Sequence, residues 1–168
     1  MSWMLMDIAL RWLHIVFALI WVGHNYANVV KTPRFIPLRI DPDERSARSS
    51  DLTRRMHQEH GTFRYASLVV LASGALMLWN RDILADVLML QGHHAVIGVG
   101  AWIGVIMVLN LWFVLWPHQK KVLGFVPAPA TERIRCSRIT FLSSRTNTIL
   151  SFPLIFFMTA GSHGLALF

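Results

Sequence analysis

The chain has 168 residues, of which 54% are hydrophobic and 15% charged, with seven Trp and a net charge of +7. One domain is expected at this length, and apolar residues gathered into long runs indicate a membrane protein. A single cysteine, Cys136, excludes a disulfide framework and a zinc site built on cysteine pairs, and the absence of Cys-x-x-Cys-His excludes covalent c-type haem from this sequence.

Hydropathy places four transmembrane helices, over residues roughly 8–30, 63–79, 93–116 and 147–167, each long enough or nearly so for a hydrocarbon core of about 30 Å. The first run lacks a basic leader and a small-residue cleavage site, so it reads as a retained helix. Within it lies Arg11-Trp12-Leu13-His14, continuing to Trp21-Val22-Gly23-His24-Asn25. At about 100° per residue, His14, Ala18, Trp21 and Asn25 share one face, which reads as the wall of a pocket. A histidine inside an apolar segment is a candidate functional residue because burying an ionisable group there costs free energy.

Residues 31–62 form a long polar loop, in which Asp41-Pro42-Asp43-Glu44-Arg45 reads as a turn and residues 50–55 as an amphipathic interfacial helix. The third apolar helix is expected to stop at Pro117, which has no N–H to continue the ladder. A second polar loop, residues 117–145, contains Pro127-Ala128-Pro129-Ala130, an extended break, and then a basic stretch. Pro153 lies inside the fourth helix, where a kink is expected. The fold class is therefore all-α: a four-helix transmembrane bundle forming a single membrane domain over residues 1–168.

Charge sets the orientation. All the Lys and Arg residues except Arg11 and Arg81 lie in or beside the two long loops. The positive-inside rule makes those loops cytoplasmic and both termini periplasmic, in a multi-pass protein of the bacterial inner (plasma) membrane. Anionic lipid headgroups account for the basic balance, so no nucleic-acid partner is expected.

Orientation also sorts the eight histidines. His14, His93, His94 and His163 come from three helices at similar depth on the periplasmic side. Two imidazoles from different helices are what a haem b requires, and copper is the less favoured alternative with His14, His94 and His163 as ligands. Gly98, Gly100 and Gly104 offer room for a porphyrin, and periodicity does not choose between His93 and His94. Arg11, one turn before His14, is placed to pair with a haem propionate. The competing reading is that such histidines hydrogen-bond across helices and that Gly100-x-x-x-Gly104 is a packing face. On the cytoplasmic side His57 and His60, at i, i+3, could join His118 or His24 in a second site, or simply lie on a solvated helix entering the membrane.

Two stretches carry a family resemblance. Asn110-Leu111-Trp112-Phe113-Val114-Leu115-Trp116-Pro117-His118-Gln119-Lys120-Lys121-Val122, with Ser144-Arg145-Thr146-Asn147-Thr148-Ile149-Leu150-Ser151-Phe152-Pro153, resembles the N-terminal membrane domain of bacterial membrane-bound urate hydroxylase. Trp12-Leu13-His14 through Gly23 is similar to that domain's first helix, and Phe156-Phe157-Met158 through His163 to its last. Described members carry a C-terminal cytochrome c domain, whose haem-attachment motif this sequence does not contain. The resemblance implies a haem-linked redox module that hands electrons to a periplasmic cytochrome c or a larger membrane complex. The first helix also resembles that of the haem b-using protoporphyrinogen oxidase family, through His14 and Trp21-Val22-Gly23.

Three functions are therefore weighed: an electron-transfer or oxidoreductase subunit, an enzyme acting on a purine or porphyrin, and a cofactor-free accessory subunit of a respiratory or photosynthetic complex. Arg145 and Asn147 are expected to tie the fourth helix to the Trp116-Pro117 end of the third.

Overall fold

The computed structural model describes residues 2–38 and 47–164, with side chains except those of Ser2 and residues 47–62. Every regular element among the described residues is helical. Helix α1 spans Ser2–Lys31, α2 Ala47–Asn80, α3 Leu84–Leu88, α4 Ala95–Leu109, α5 Trp116–Val122 and α6 Ala130–Ser162. A 3₁₀ turn, Gly92–His94, precedes α4, and a π-helical segment, Asn110–Leu115, joins α4 to α5.

The helix ends follow local chemistry. Past Lys31, Thr32 folds back on Asn28 O through its N–H and its hydroxyl (3.0 and 2.7 Å), and Pro33 cannot extend the ladder. At the end of α2, Ile83 N–H reaches Leu78 O (3.1 Å) and Asp82 N–H reaches Trp79 O (3.0 Å), a Schellman closure. Asp82 occupies the left-handed position at φ 56°, where glycine is usual. Before α6, Pro129 holds the extended backbone of the N-cap, as the proline pair predicts, and Glu132 in the first turn bonds Lys121 from α5.

Three boundaries differ from hydropathy. The interfacial helix and the second apolar run are one continuous α2. The basic stretch after Pro129 is the first half of α6, because polar good helix formers sustain a helix that hydropathy does not register. The third helix also passes Pro117 and ends at Val122. The wider π turns just before Pro117 break the i−4 register there, relieving the clash that stops an ordinary helix. Helix α6 likewise continues through Pro153.

Helix α1 packs mainly on α2, and α4 mainly on α6, with α1–α6 and α2–α4 contacts closing the arrangement. The core cluster is Trp21, Ala66, Met107 and Val108, with Phe17, Ile20, Val70, Ile103, Leu111, Trp112, Leu150 and Leu154 around it. Between α4 and α6 lies an amide network. Asn110 Nδ2 donates to Asn147 Oδ1 (2.8 Å) and Ser143 O (3.0 Å), Ser143 Oγ donates to Asn110 Oδ1 (2.9 Å), and Asn147 Nδ2 donates to Met107 O (3.2 Å). Asn147 thus grips the middle of the third helix, rather than the Trp116-Pro117 end expected for it.

Outward, the molecule is oily. Trp12, Ile15 and Leu19 of α1 are exposed, as are Ile106 and Phe113 along the third helix. Among the described residues, two helical stretches, Trp3–Lys31 and Gly92–Val122, are long and apolar enough to cross a membrane.

Candidate functional site

The face of α1 read as a pocket wall is the buried one. Trp21 is 3% exposed and Asn25 6%, while Trp12, on the other side, is 65% exposed. Trp21 and Asn25 line a cavity of about 390 Å³ at the end of the bundle that carries the long polar segments. Helix α1 also contributes His24 and Asn28, and α2 contributes Phe63 and Arg64. The third helix and α5 contribute Leu111, Leu115, Trp116 and Gln119, α6 contributes residues from Ser137 to Arg145, and the segment after α1 contributes Arg34 and Phe35.

The electrostatics are one-sided. Among the described residues the lining includes Arg34, Arg64 and Arg145 and no Asp or Glu. Arg64 is held by aromatic faces: its guanidinium carbon lies 3.9 Å from the Trp116 ring centroid, 5.0 Å from that of Trp112 and 4.9 Å from that of Tyr65. Its Nη2 donates to Tyr65 OH (3.2 Å), and its buried Nε has no hydrogen-bond partner. Arg145 donates to Thr32 O and lies over Phe141 (4.7 Å), tying α6 to the end of α1 rather than to α5. Asn25 Nδ2 is buried and unpartnered. A stranded amide nitrogen in a polar cavity costs about 1–3 kcal/mol unless something enters to accept from it. His24 stacks on Phe63 (3.7 Å between centroids), and its Nε2 lies 3.0 Å from Asn28 Nδ2.

The other histidines are placed separately. His14 Nδ1 lies 3.0 Å from Val70 O and 3.2 Å from Ser73 Oγ, both on α2. Since Ser73 Oγ also donates to Val69 O (2.6 Å), the Val70 carbonyl is the acceptor that assigns the proton to His14 Nδ1. Gly74 makes the slot, since a Cβ there would come within 3.1 Å of His14 Cε1. His93 and His94 lie ring against ring, 3.8 Å between centroids, at the start of α4. His163 Nδ1 meets Thr159 O (2.8 Å) at the end of α6, and His118 Nδ1 meets Val114 O (2.6 Å). The side chains of His57 and His60 lie outside the described residues.

Among the described residues no group of three or more His, Cys, Asp and Glu side chains could hold a metal ion. Arg11 is paired with Asp7 (3.0 Å), which Arg81 also holds through Nε (3.0 Å) and Nη2 (2.9 Å). The glycines that offered porphyrin space are packing points. A Cβ on Gly98 would meet Val87 O at 2.3 Å, one on Gly100 would meet Phe157 and Met158 at 3.3 Å, and one on Gly104 would meet Leu154 at 3.6 Å.

Residues 50–167 match the family described as urate oxidase N-terminal. The chain belongs to that family. The matched span covers most of the cavity lining and the Trp116-Pro117 and Ser144–Pro153 stretches, whereas α1, with His14 and Asn25, lies ahead of it. No curated protein and no solved structure matches the chain.

Sequence reasoning singled out Asn25, Trp116 and Arg145, but not their convergence on one cavity with Arg64. The missed signal was Arg64 itself, a lone cation at the start of an apolar run two turns before Leu71. The charge count treated it as one more cytoplasmic marker.

Proposed function

We propose that the chain is the membrane domain of a urate-hydroxylase-like oxidoreductase: a four-helix module of the bacterial inner membrane that carries haem b and passes electrons to a periplasmic carrier. Family membership supports the urate-linked class. The apolar outer faces of α1 and the third helix support a lipid setting, because a soluble monomer does not expose apolar surface on this scale. The distribution of Lys and Arg supports cytoplasmic long segments, with His14, His93, His94 and His163 toward the periplasm.

The observation that carries the haem assignment is the tether on His14. An imidazole whose Nδ1–H is given to a backbone carbonyl on another helix presents Nε2 as a lone-pair donor with a set tautomer and ring orientation. That donor chemistry fits an iron ligand. His163 has its Nδ1 against the Thr159 carbonyl of its own helix, and it or one of His93 and His94 is the second candidate. Haem b, when bound, would supply one-electron redox chemistry. Arg11, engaged by Asp7, would need to leave that carboxylate to meet a propionate.

The test is a visible spectrum of the detergent-purified protein, oxidised and dithionite-reduced, with His14→Ala as control. A Soret band with resolved α and β bands on reduction, lost in a variant that still elutes as a folded protein, is the expected result. Absence of visible absorbance after haem-supplemented expression overturns it and leaves the accessory-subunit reading.

A further inference from the structure

We propose that the recess between the start of α1 and the end of α2, lined by Trp3, Trp79, Asn80 and Asp82, holds the ammonium head of a zwitterionic ethanolamine phospholipid of the periplasmic leaflet. The inference takes its membrane setting and orientation from the reading above and is independent of haem.

Two helix ends are clamped together here. Arg81 donates to both carboxylate oxygens of Asp7, through Nε at 3.0 Å and Nη2 at 2.9 Å, which fixes the end of α2 against the start of α1. Trp79 and Trp3 thereby line one recess of about 330 Å³. They are 71% and 70% exposed, so neither serves the protein core. A lone indole at the bilayer surface is ordinary. Two indoles that share a recess with a carboxylate make a cation site, because the ring faces and the acid carry the same sign.

The carboxylate is uncommitted. Asp82 has no ion-pair partner among the described residues, and its neighbour Arg81 is already held by Asp7. The turn does not account for the charge, since its left-handed position at φ 56° suits glycine or asparagine as well as aspartate. Nor do the arginines from Arg39 to Arg55 supply a partner. The last of them, Arg55, lies on α2 itself, roughly 36 Å before Trp79 at about 1.5 Å per residue. Met1 and residues 165–168 carry no ionisable side chain. The surface beneath the indoles points to a lipid as the source of the cation. One turn deeper into the bilayer, Met6 below Trp3 and Leu76 below Trp79 are both exposed, an apolar surface for acyl chains. An ethanolamine head brings an ammonium to Asp82 and the indoles, whereas a glycerol head brings no charge.

The experiment is native mass spectrometry of the full chain in detergent, titrated with phosphatidylethanolamine and phosphatidylglycerol of identical acyl chains. The two lipids share the phosphodiester and differ in the ammonium. The parent protein should hold the ethanolamine lipid at least about fivefold more tightly. Asp82→Asn keeps a residue at home in the left-handed turn and removes only the charge. That variant and Trp79→Leu should each bring the ratio close to one, and Asp86→Asn, an acid on α3 outside the recess, should leave it unchanged. Glycerophosphoethanolamine, the same head without chains, should displace the lipid only at concentrations at least about a hundredfold higher. Equal affinity for the two lipids in the parent, or a preference that survives both Asp82→Asn and Trp79→Leu, overturns the site. Displacement by the chain-free head at lipid-like concentration overturns the lipid assignment in favour of a soluble amine. Lipid bound without preference removes this inference and leaves the membrane reading standing, whereas no bound lipid of either kind removes both.

Discussion

Asn25→Leu separates a ligand-binding amide from a structural one by the sign of its effect on stability. Leucine repeats the branching of asparagine with the same number of side-chain heavy atoms and bulkier ends that the adjoining cavity can take, so the substitution removes the stranded Nδ2 without opening a void. Were Asn25 a structural hydrogen-bonding residue, its loss would leave partners unsatisfied and cost about 1–3 kcal/mol. Its Nδ2 has no such partner among the described residues, and relief of the stranded group should instead stabilise the ligand-free protein by about 1 kcal/mol, somewhat less where cavity water already meets the amide. For a chain of this size that is a rise of about 2–4 °C in Tm. The assay is a tryptophan-fluorescence melt in detergent, with and without saturating urate. Urate should raise the Tm of the parent protein, because a ligand bound only to the folded state stabilises it, and should leave Asn25→Leu nearly unmoved. A variant that melts below the parent in the absence of ligand, or that urate shifts as far as it shifts the parent, would refute the reasoning.

The other perturbations test the scaffold. Asn147→Ala removes bonds to Asn110 and to Met107 O at a position 1% exposed, and should cost about 2–4 kcal/mol; in a double-mutant cycle with Asn110→Ala the two losses should fall short of additive. Gly98→Ala places a methyl group 2.3 Å from Val87 O, a backbone atom that cannot rotate away, and should lower Tm or expression well beyond Gly104→Ala, whose Cβ finds Leu154 at 3.6 Å. Asp7→Asn weakens an exposed clamp between the start of α1 and the end of α2, so the loss should be no more than about 1 kcal/mol and shrink as salt is added, read from melts at low and high ionic strength.

Much of the helical content is legible because long apolar runs and a 3.6-residue period are strong signals, and of the face of α1 that carries His14, Ala18, Trp21 and Asn25, Trp21 and Asn25 are buried at the cavity while His14 and Ala18 are half-buried outside its lining. Boundaries were less legible for a physical reason. Hydropathy marks where a helix meets an apolar environment, and α2 and α6 continue as polar helices well beyond that point. Pro117 misled because the π turns that accommodate it leave no trace in local propensity. The cavity was the hardest feature to see. Asn25, Arg64, Trp116 and Arg145 come from four separate helices, and no spacing in the chain announces that helix packing brings them to one place. The glycines of the third helix show the opposite error: they suggest open space in a sequence, yet here they are where α3 and α6 come closest.

The π segment connects the fold to the cavity. In an α-helix, residues four apart lie roughly 40° apart around the axis, on one face, and the wider turn of a π segment changes the angle between them. Trp112 and Trp116 are four apart across this segment, and both indoles lie on the Arg64 guanidinium, at 5.0 and 3.9 Å. Trp112 Nε1–H also donates to Ser67 Oγ (3.3 Å), which fixes the ring on α2. A regular helix through these positions would set the two indoles at a different angle and would place Pro117 against the carbonyl four residues back. The same irregularity therefore admits the proline in the segment whose two indoles lie on one half-buried guanidinium. In Asn110 it also begins at the amide network that anchors the third helix to α6. A local departure from helical geometry, stabilised by a satisfied network at one end and an arginine between two indoles toward the other, has the form expected where a fold gives up regularity to shape a binding cavity.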